Sequence, residues 1–360
     1  MSGDIYERLR RHVNAIGTGF AATTTGVEMR FLQRLFTEEE AETYLHLTEN
    51  LESPEQIAQR DGLDPERLAV TLNTMTEKGL VFPKRVGERR YYAAAPAFHG
   101  IYEHQVTRMD PELAQIMEDY VWAEKVPEAP PPGREVLAGF PLRTIPVETP
   151  IGVSRPIAPY EDVKEIIRNQ DRIAVAKCYC TVQQQALGHK CNQPDEVCLL
   201  LGFYADYYVD TGLGRRITQD EALEILNRAE EAGLVHQIPN STDPAAICNC
   251  CPDCCGQLRI LKMLPNPAAL VTTDHFATVD RDLCTGCQLC VDRCRFNAIS
   301  MSAESLADVN RERCIGCGLC VSSCVVDAIV LAVKPEAERR EPGYTTPFMR
   351  SSQDIESTIR

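Results

Sequence analysis

The chain has 360 residues, 44% of them hydrophobic, with 17 cysteines and a formal charge of −15. That length leaves room for two to four compact units, and the acidic balance disfavours non-specific nucleic-acid binding while steering toward basic docking patches on a partner. The opening residues Met1–His12 are charged where a secretory leader needs an apolar run, and Leu199–Phe203 is too short an apolar run to cross a bilayer. The cysteines therefore point to a cytoplasmic, reducing setting and to metal ligation.

Residues 1–36 predict one or two helices interrupted by the polar stretch Gly17–Thr25. Thr37 with Glu40 forms a capping box before Ala41, Tyr44, Leu45 and Leu47. Ser53-Pro54-Glu55-Gln56 opens a second helix, with Pro54 suited to its first position. A third, Glu66 to Lys78, carries Leu68, Leu72 and Met75 on one face and stops at Gly79. The stretch Val81–Tyr92 reads as a hairpin. Three short helices followed by a hairpin resemble a winged helix-turn-helix domain. The resemblance implies groove reading by Arg67, Asn73 and Lys78, and phosphate contacts by Lys84, Arg85, Arg89 and Arg90. Glu38–Tyr92 holds twelve acids and seven bases, however, so DNA binding is not expected, and protein contacts or dimerisation suit the unit better.

Residues 98–124 predict a further amphipathic helical stretch, in which His99 and His104 read as structural. Residues 125–134, rich in proline, read as a linker. Beyond it Arg143–Glu148 and Arg172–Lys177 predict strands, with a helix Glu161–Asn169 between them and another from Thr218 to about Gly233. Strands alternating with helices suggest a small α/β or α+β unit. It carries nine cysteines: Cys178, Cys180, Cys191, Cys198, Cys248, Cys250, Cys251, Cys254 and Cys255. Cys178 and Cys180, two apart on a strand, would share a face. Adjacent pairs such as Cys250/Cys251 would diverge, sending one sulfur of each inward. Five cysteines within Cys248–Cys255 are too many for core packing and imply at least one further metal centre, one or two clusters by count. Cys254-Cys255-Gly256 resembles, in a single copy, the motif of heterodisulfide-reductase-type subunits. His189 and His236 are candidate ligands or proton donors, and packing roles suit both better.

The last unit contains the same passage twice. Cys284, Cys287, Cys290 and Cys294 recur as Cys314, Cys317, Cys320 and Cys324, and Gly286, Leu289, Ala298 and Ile299 recur as Gly316, Leu319, Ala328 and Ile329. Neither zinc nor disulfides suit four cysteines within eleven residues, twice. The doubled C-x2-C-x2-C-x3-C run resembles the two-cluster bacterial ferredoxin domain over about Thr273–Val333, and the resemblance implies two 4Fe-4S clusters. One would take Cys284, Cys287, Cys290 and Cys324, and the other Cys314, Cys317, Cys320 and Cys294. Gly286, Gly316 and Gly318 would let the loops bring N–H groups to the sulfurs. Leu289, Leu319, Phe296, Ile299 and Ile329 would form an apolar wall. Where that family usually has proline after the fourth cysteine, Arg295 and Val325 stand here.

The expected fold is an α+β multidomain chain: a helical and winged-helix-like unit over 1–124 (core about 37–95) and the linker 125–134, then a cysteine-rich α/β unit over 135–272. A ferredoxin-like unit built as a ββ-cluster-α repeat would follow over 273–333, with a polar tail over 334–360. The expected function is single-electron relay through iron–sulfur clusters to a redox partner with a basic docking surface, in an oxygen-sensitive cytoplasmic protein. The alternatives are a reductase acting at the central cysteines, a redox-responsive DNA-binding regulator, and clusters serving only as staples. No nucleotide-binding fingerprint is recognisable: Thr211-Gly212-Leu213-Gly214 lacks the third glycine and its setting.

Overall fold

The structure is a computed structural model that describes residues 3–17, 19–126, 142–146, 162–240 and 244–339. The linker expected at 125–134 lies outside the described residues from 127 onward, as does the tail from 340. The described chain mixes helix and sheet, and none of its helices is long and apolar enough to cross a membrane.

Helices Gly3–Asn14 and Val27–Leu35 flank the polar stretch at the start. Thr37 and Glu40 close a reciprocal capping box on Glu38–Leu45, and Ser53 and Gln56 close another on Pro54–Asp61. Asp64 caps Pro65–Glu77, whose Leu68, Leu72 and Met75 are buried. Strands β1 (Val81–Val86) and β2 (Arg89–Ala94) pair antiparallel. The stretch expected to be helical from 98 to 124 is broken instead. His99 stands at φ 60° in a kinked turn, and the main helix, Pro111–Trp122, starts only where Asp110 caps it.

The central sheet is made of β3 (Leu142–Thr144), β4 (Ile173–Lys177), β5 (Glu196–Leu201), β6 (Gly214–Ile217), β7 (Val235–Pro239) and β8 (Ala246–Cys250). Its order is β3-β7-β8-β5-β4-β6, and every described pairing is antiparallel. This corrects the α/β expectation to α+β. Helix Tyr179–Ala186 lies between β4 and β5, but the chain returns at the same end of the sheet, with Lys177 opposite Glu196 and the Cys178 N–H on Asp195 O at 2.7 Å. Antiparallel neighbours need no crossover. The connection therefore gathers Cys178, Cys180 and Cys191 at one end.

In the last unit β9 (His275–Val279) pairs with β12 (Ile329–Val333), and β10 (Ile299–Met301) with β11 (Ala307–Val309). Each half runs strand, cysteine loop, short helix, strand, not the ββ-cluster-α order expected, and each half exchanges strands with the other. The first strand of one copy needs the last strand of its twin as a partner, which is why neither copy stands alone.

One apolar core joins the N-terminal elements to the central sheet. Phe82 of β1 packs against Phe203, Tyr204 and Tyr207 of helix Gly202–Asp210, with ring centroids 4.9–6.2 Å apart. A second core joins the centre to the last unit, Val235, Leu258 and Leu261 meeting Phe296, Ile315 and Leu319.

Candidate metal centres

Two small hollows open in the last unit. One is lined by Cys284, Cys287, Cys290 and Cys324, the other by Cys314, Cys317, Cys320 and Cys294. In each, three cysteines come from one loop and the fourth from the other copy. The strand exchange produces that crossing. Backbone N–H groups reach the sulfurs with the same two-fold pattern: Ala277 to Cys314 at 3.4 Å and Ala307 to Cys284 at 3.5 Å, Ala298 to Cys294 at 3.3 Å and Ala328 to Cys324 at 3.2 Å. Donors of this kind stabilise anionic sulfur. Gly286 and Gly316 stand at φ 71° and 70°, and a Cβ on either would lie 2.3–2.4 Å from a carbonyl oxygen of the neighbouring strand or turn. Gly318 stands at φ 79°; its counterpart, Gln288, takes φ 67° with a side chain attached.

The two hollows differ in exposure. Around the first, Cys287 is exposed, and Leu289, which lines the hollow, is 44% exposed. Leu319, Phe296, Ile299 and Ile329 are buried. The difference arises because the second loop sits against the central unit while the first faces outward. Burial accordingly pushes the thiols of Cys314, Cys317 and Cys320 up, Cys317 to about 12. Cys284 is held below its ordinary value, first by the Ala307 N–H and then by that of Gly286. Buried thiols that resist ionisation, grouped in fours with N–H donors in place, fit a multi-iron group whose positive charge would offset the thiolates.

The nine central cysteines fall into two sets. Cys178, Cys180, Cys198, Cys248, Cys250 and Cys255 line a cavity of about 400 Å³. Their thiols influence one another's ionisation in sequence, from Cys178 through Cys180, Cys255, Cys250 and Cys248 to Cys198. Cys178 caps helix Tyr179–Ala186 and Cys180 lies in its first turn, so the pair is not on a strand. The chain leaves extended conformation at Lys177, and the helix start turns both thiols to the cavity. Cys191, Cys251 and Cys254 form the second set, their sulfurs within 4.8 Å of one another. The adjacent pairs Cys250/Cys251 and Cys254/Cys255 thus divide between the two sets.

The opposite wall of the cavity comes from the N-terminal elements, with Phe98, His99, Glu103 and Tyr120 facing the six cysteines. Sequence reasoning assigned His99 a purely structural role. The structure puts it on the cavity with a buried Nδ1 that lacks a partner among the described residues, a placement set by the turn at φ 60°. Burial raises the Glu103 pKa. Tyr204 also lines the cavity and its hydroxyl finds no partner among the described residues. His236 is buried and its Nδ1 meets Asn249 Oδ1 at 2.5 Å, a packing role. His189 lies on neither cysteine set.

Residues 265–331 match the family model described as a 4Fe-4S dicluster domain. No curated protein and no solved structure matches the chain. The match and the cysteine groups together support an iron–sulfur protein of the ferredoxin type.

Proposed function

We propose that the protein relays single electrons between a redox partner and a centre in the cysteine-lined cavity, through two 4Fe-4S clusters in the last unit. The observation that carries this is the placement of the three cysteine groups, of which the outer one alone has an exposed cysteine. The outer hollow reaches the surface at Cys287, and Ile315 and Leu319 of the inner hollow pack against Val235, Leu258 and Leu261 of the central unit. Cys294 and Cys317 of the inner hollow share an apolar cluster with Cys248, Cys250 and Cys255 of the cavity. Bound iron would supply the one-electron chemistry. The chain's own residues position the sulfurs, hold N–H groups on them and, through Phe296, Ile315 and Leu319, exclude water from the inner hollow.

In this reading Cys284, Cys287, Cys290 and Cys324 hold the outer cluster, and Cys314, Cys317, Cys320 and Cys294 hold the inner one. Gly286, Gly316 and Gly318 shape the loops. Exposed Asp280, Asp282 and Asp292 beside the outer loop suit a partner with a basic docking surface. The segments flanking the winged-helix-like core, with Asn14, Phe98 and Tyr120, then serve as a wall of the cavity, and the core acts as a packing scaffold and not as a DNA reader, in a cytoplasmic, oxygen-sensitive protein. Iron and sulfide analysis of anaerobically prepared protein tests the assignment: about twelve irons per chain, four for each of three clusters, are expected. Eight would leave the cavity without a cluster, and none would end the reading.

The size of the cavity favours a second reading, in which its centre acts on a small molecule. About 400 Å³ lies within the range of ligand sites, and His99, Glu103 and Tyr204 would present polar groups to a bound compound. The chain would then be the reductase itself, fed by the same relay. A candidate substrate that alters the spectrum of the central centre alone would favour this reading over simple relay.

A further inference from the structure

The three cysteines left out of the cavity have a geometry of their own. Cys191 Sγ and Cys251 Sγ are 3.8 Å apart, and Cys254 completes a triangle within 4.8 Å. Ligands held at about 2.3 Å in a tetrahedron around one ion stand about 3.8 Å apart. A cubic cluster spreads its thiolates over separate irons and needs them farther apart. The molecule contains its own comparison. Four cysteines line each hollow of the last unit, yet among the described residues no other three cysteine, histidine or carboxylate ligands come within that limit.

The local chain supports the same conclusion. Cys251-Pro252-Asp253-Cys254 closes a tight turn, the Cys254 N–H donating to Cys251 O at 3.1 Å. This C-x2-C turn is the usual half-site of a thiolate-bound ion. Asp253 is held by Lys262 at 2.8 Å and by Arg295, so the turn is also tied to the last unit. Cys251 and Cys254 are buried while Cys191 keeps partial exposure, leaving a solvent side to the triangle. A disulfide would use two of the three thiols and strand the third. Simple packing gives no reason for three sulfurs to converge from two loops.

We infer that Cys191, Cys251 and Cys254 bind a single thiophilic divalent cation of the zinc class, apart from the iron–sulfur centres, with the fourth position open to solvent. The ion pins the loop between helix Tyr179–Ala186 and β5 to the turn after β8. Those are the elements that carry Cys180, Cys198 and Cys250 to the cavity, so the ion sets the shape of its rim.

The test uses the full chain prepared without oxygen. Metal analysis should find one zinc per chain beside the iron, and absorption spectroscopy at the zinc edge should find three sulfurs at about 2.3 Å and one lighter atom. Cobalt(II) added to zinc-stripped protein should give thiolate-to-metal absorption, absent in Cys191→Ser and Cys251→Ser while iron per chain is unchanged. Cys198→Ser should keep the cobalt signal. Wild-type protein with neither zinc nor cobalt uptake would overturn the inference even if the variants fail to fold. So would loss of iron in Cys191→Ser, which would place these thiols on a cluster.

Discussion

Glu118 joins the N-terminal helix Pro111–Trp122 to the central unit. Its carboxylate accepts from Arg259 at 3.0 Å, Gln184 at 2.8 Å and Trp122 Nε1 at 2.7 Å. Burial raises its pKa, but these partners outweigh burial and hold it below the usual carboxylate value. A depressed folded-state pKa means stabilisation that is complete at neutral pH and is lost as the pH falls below the ordinary carboxylate range. Glu118→Ala is expected to cost about 2–3 kcal/mol in chemical denaturation, the lower end for breaking a buried pair because both partners keep some solvent contact. Glu118→Gln should flatten the stability-against-pH curve between about pH 5 and 3; an unchanged slope would count against the junction. None of this was legible beforehand, because Glu118 meets Arg259 only through tertiary packing. His99 was missed for a similar reason. Its backbone turn, not its neighbours in the chain, aims it at the cavity.

At the scale of elements, the doubled cysteine run was readable because its chemistry depends on spacing along the chain. The helix starts at Thr37 and Ser53 were readable for the same reason, their caps being local hydrogen bonds. What spacing does not carry is which way a loop faces. The two copies look alike, yet one meets solvent and the other meets β7 and helix Gly256–Met263. Gln288 shows the limit on a smaller scale, since a left-handed position normally signalled by glycine is hidden behind a glutamine. The strand exchange gives a sharp expectation. Cys294→Ala lies in the first copy's loop but should remove the inner cluster, lowering iron by about four atoms per chain. The outer cluster's spectrum should persist. Loss of the outer cluster alone would mean that the copies do not cross.

Across the whole molecule, the N-terminal unit shares one apolar core with the central unit. Its hairpin buries Phe82 against helix Gly202–Asp210, and Lys84 lies over Phe203 with its side chain 14% exposed. Arg67 pairs with Glu39 and Lys78 with Glu40, each at 2.7 Å, while Arg90 bonds Asn73. Of the cations expected to meet nucleic acid, Arg85 and Arg89 stay exposed, while Arg67, Lys78, Lys84 and Arg90 are thus engaged. The acidic charge of the chain agrees with that. The path proposed above runs from Cys287 at the surface, through the inner hollow, to the six thiols of the cavity. Electron paramagnetic resonance of anaerobic protein reduced in steps tests that path most directly. The account predicts signals from two clusters that broaden one another and a third that disappears in Cys198→Ser or Cys248→Ser. A protein that gives no reducible signal at any accessible potential, or that holds zinc in the two hollows, would contradict it.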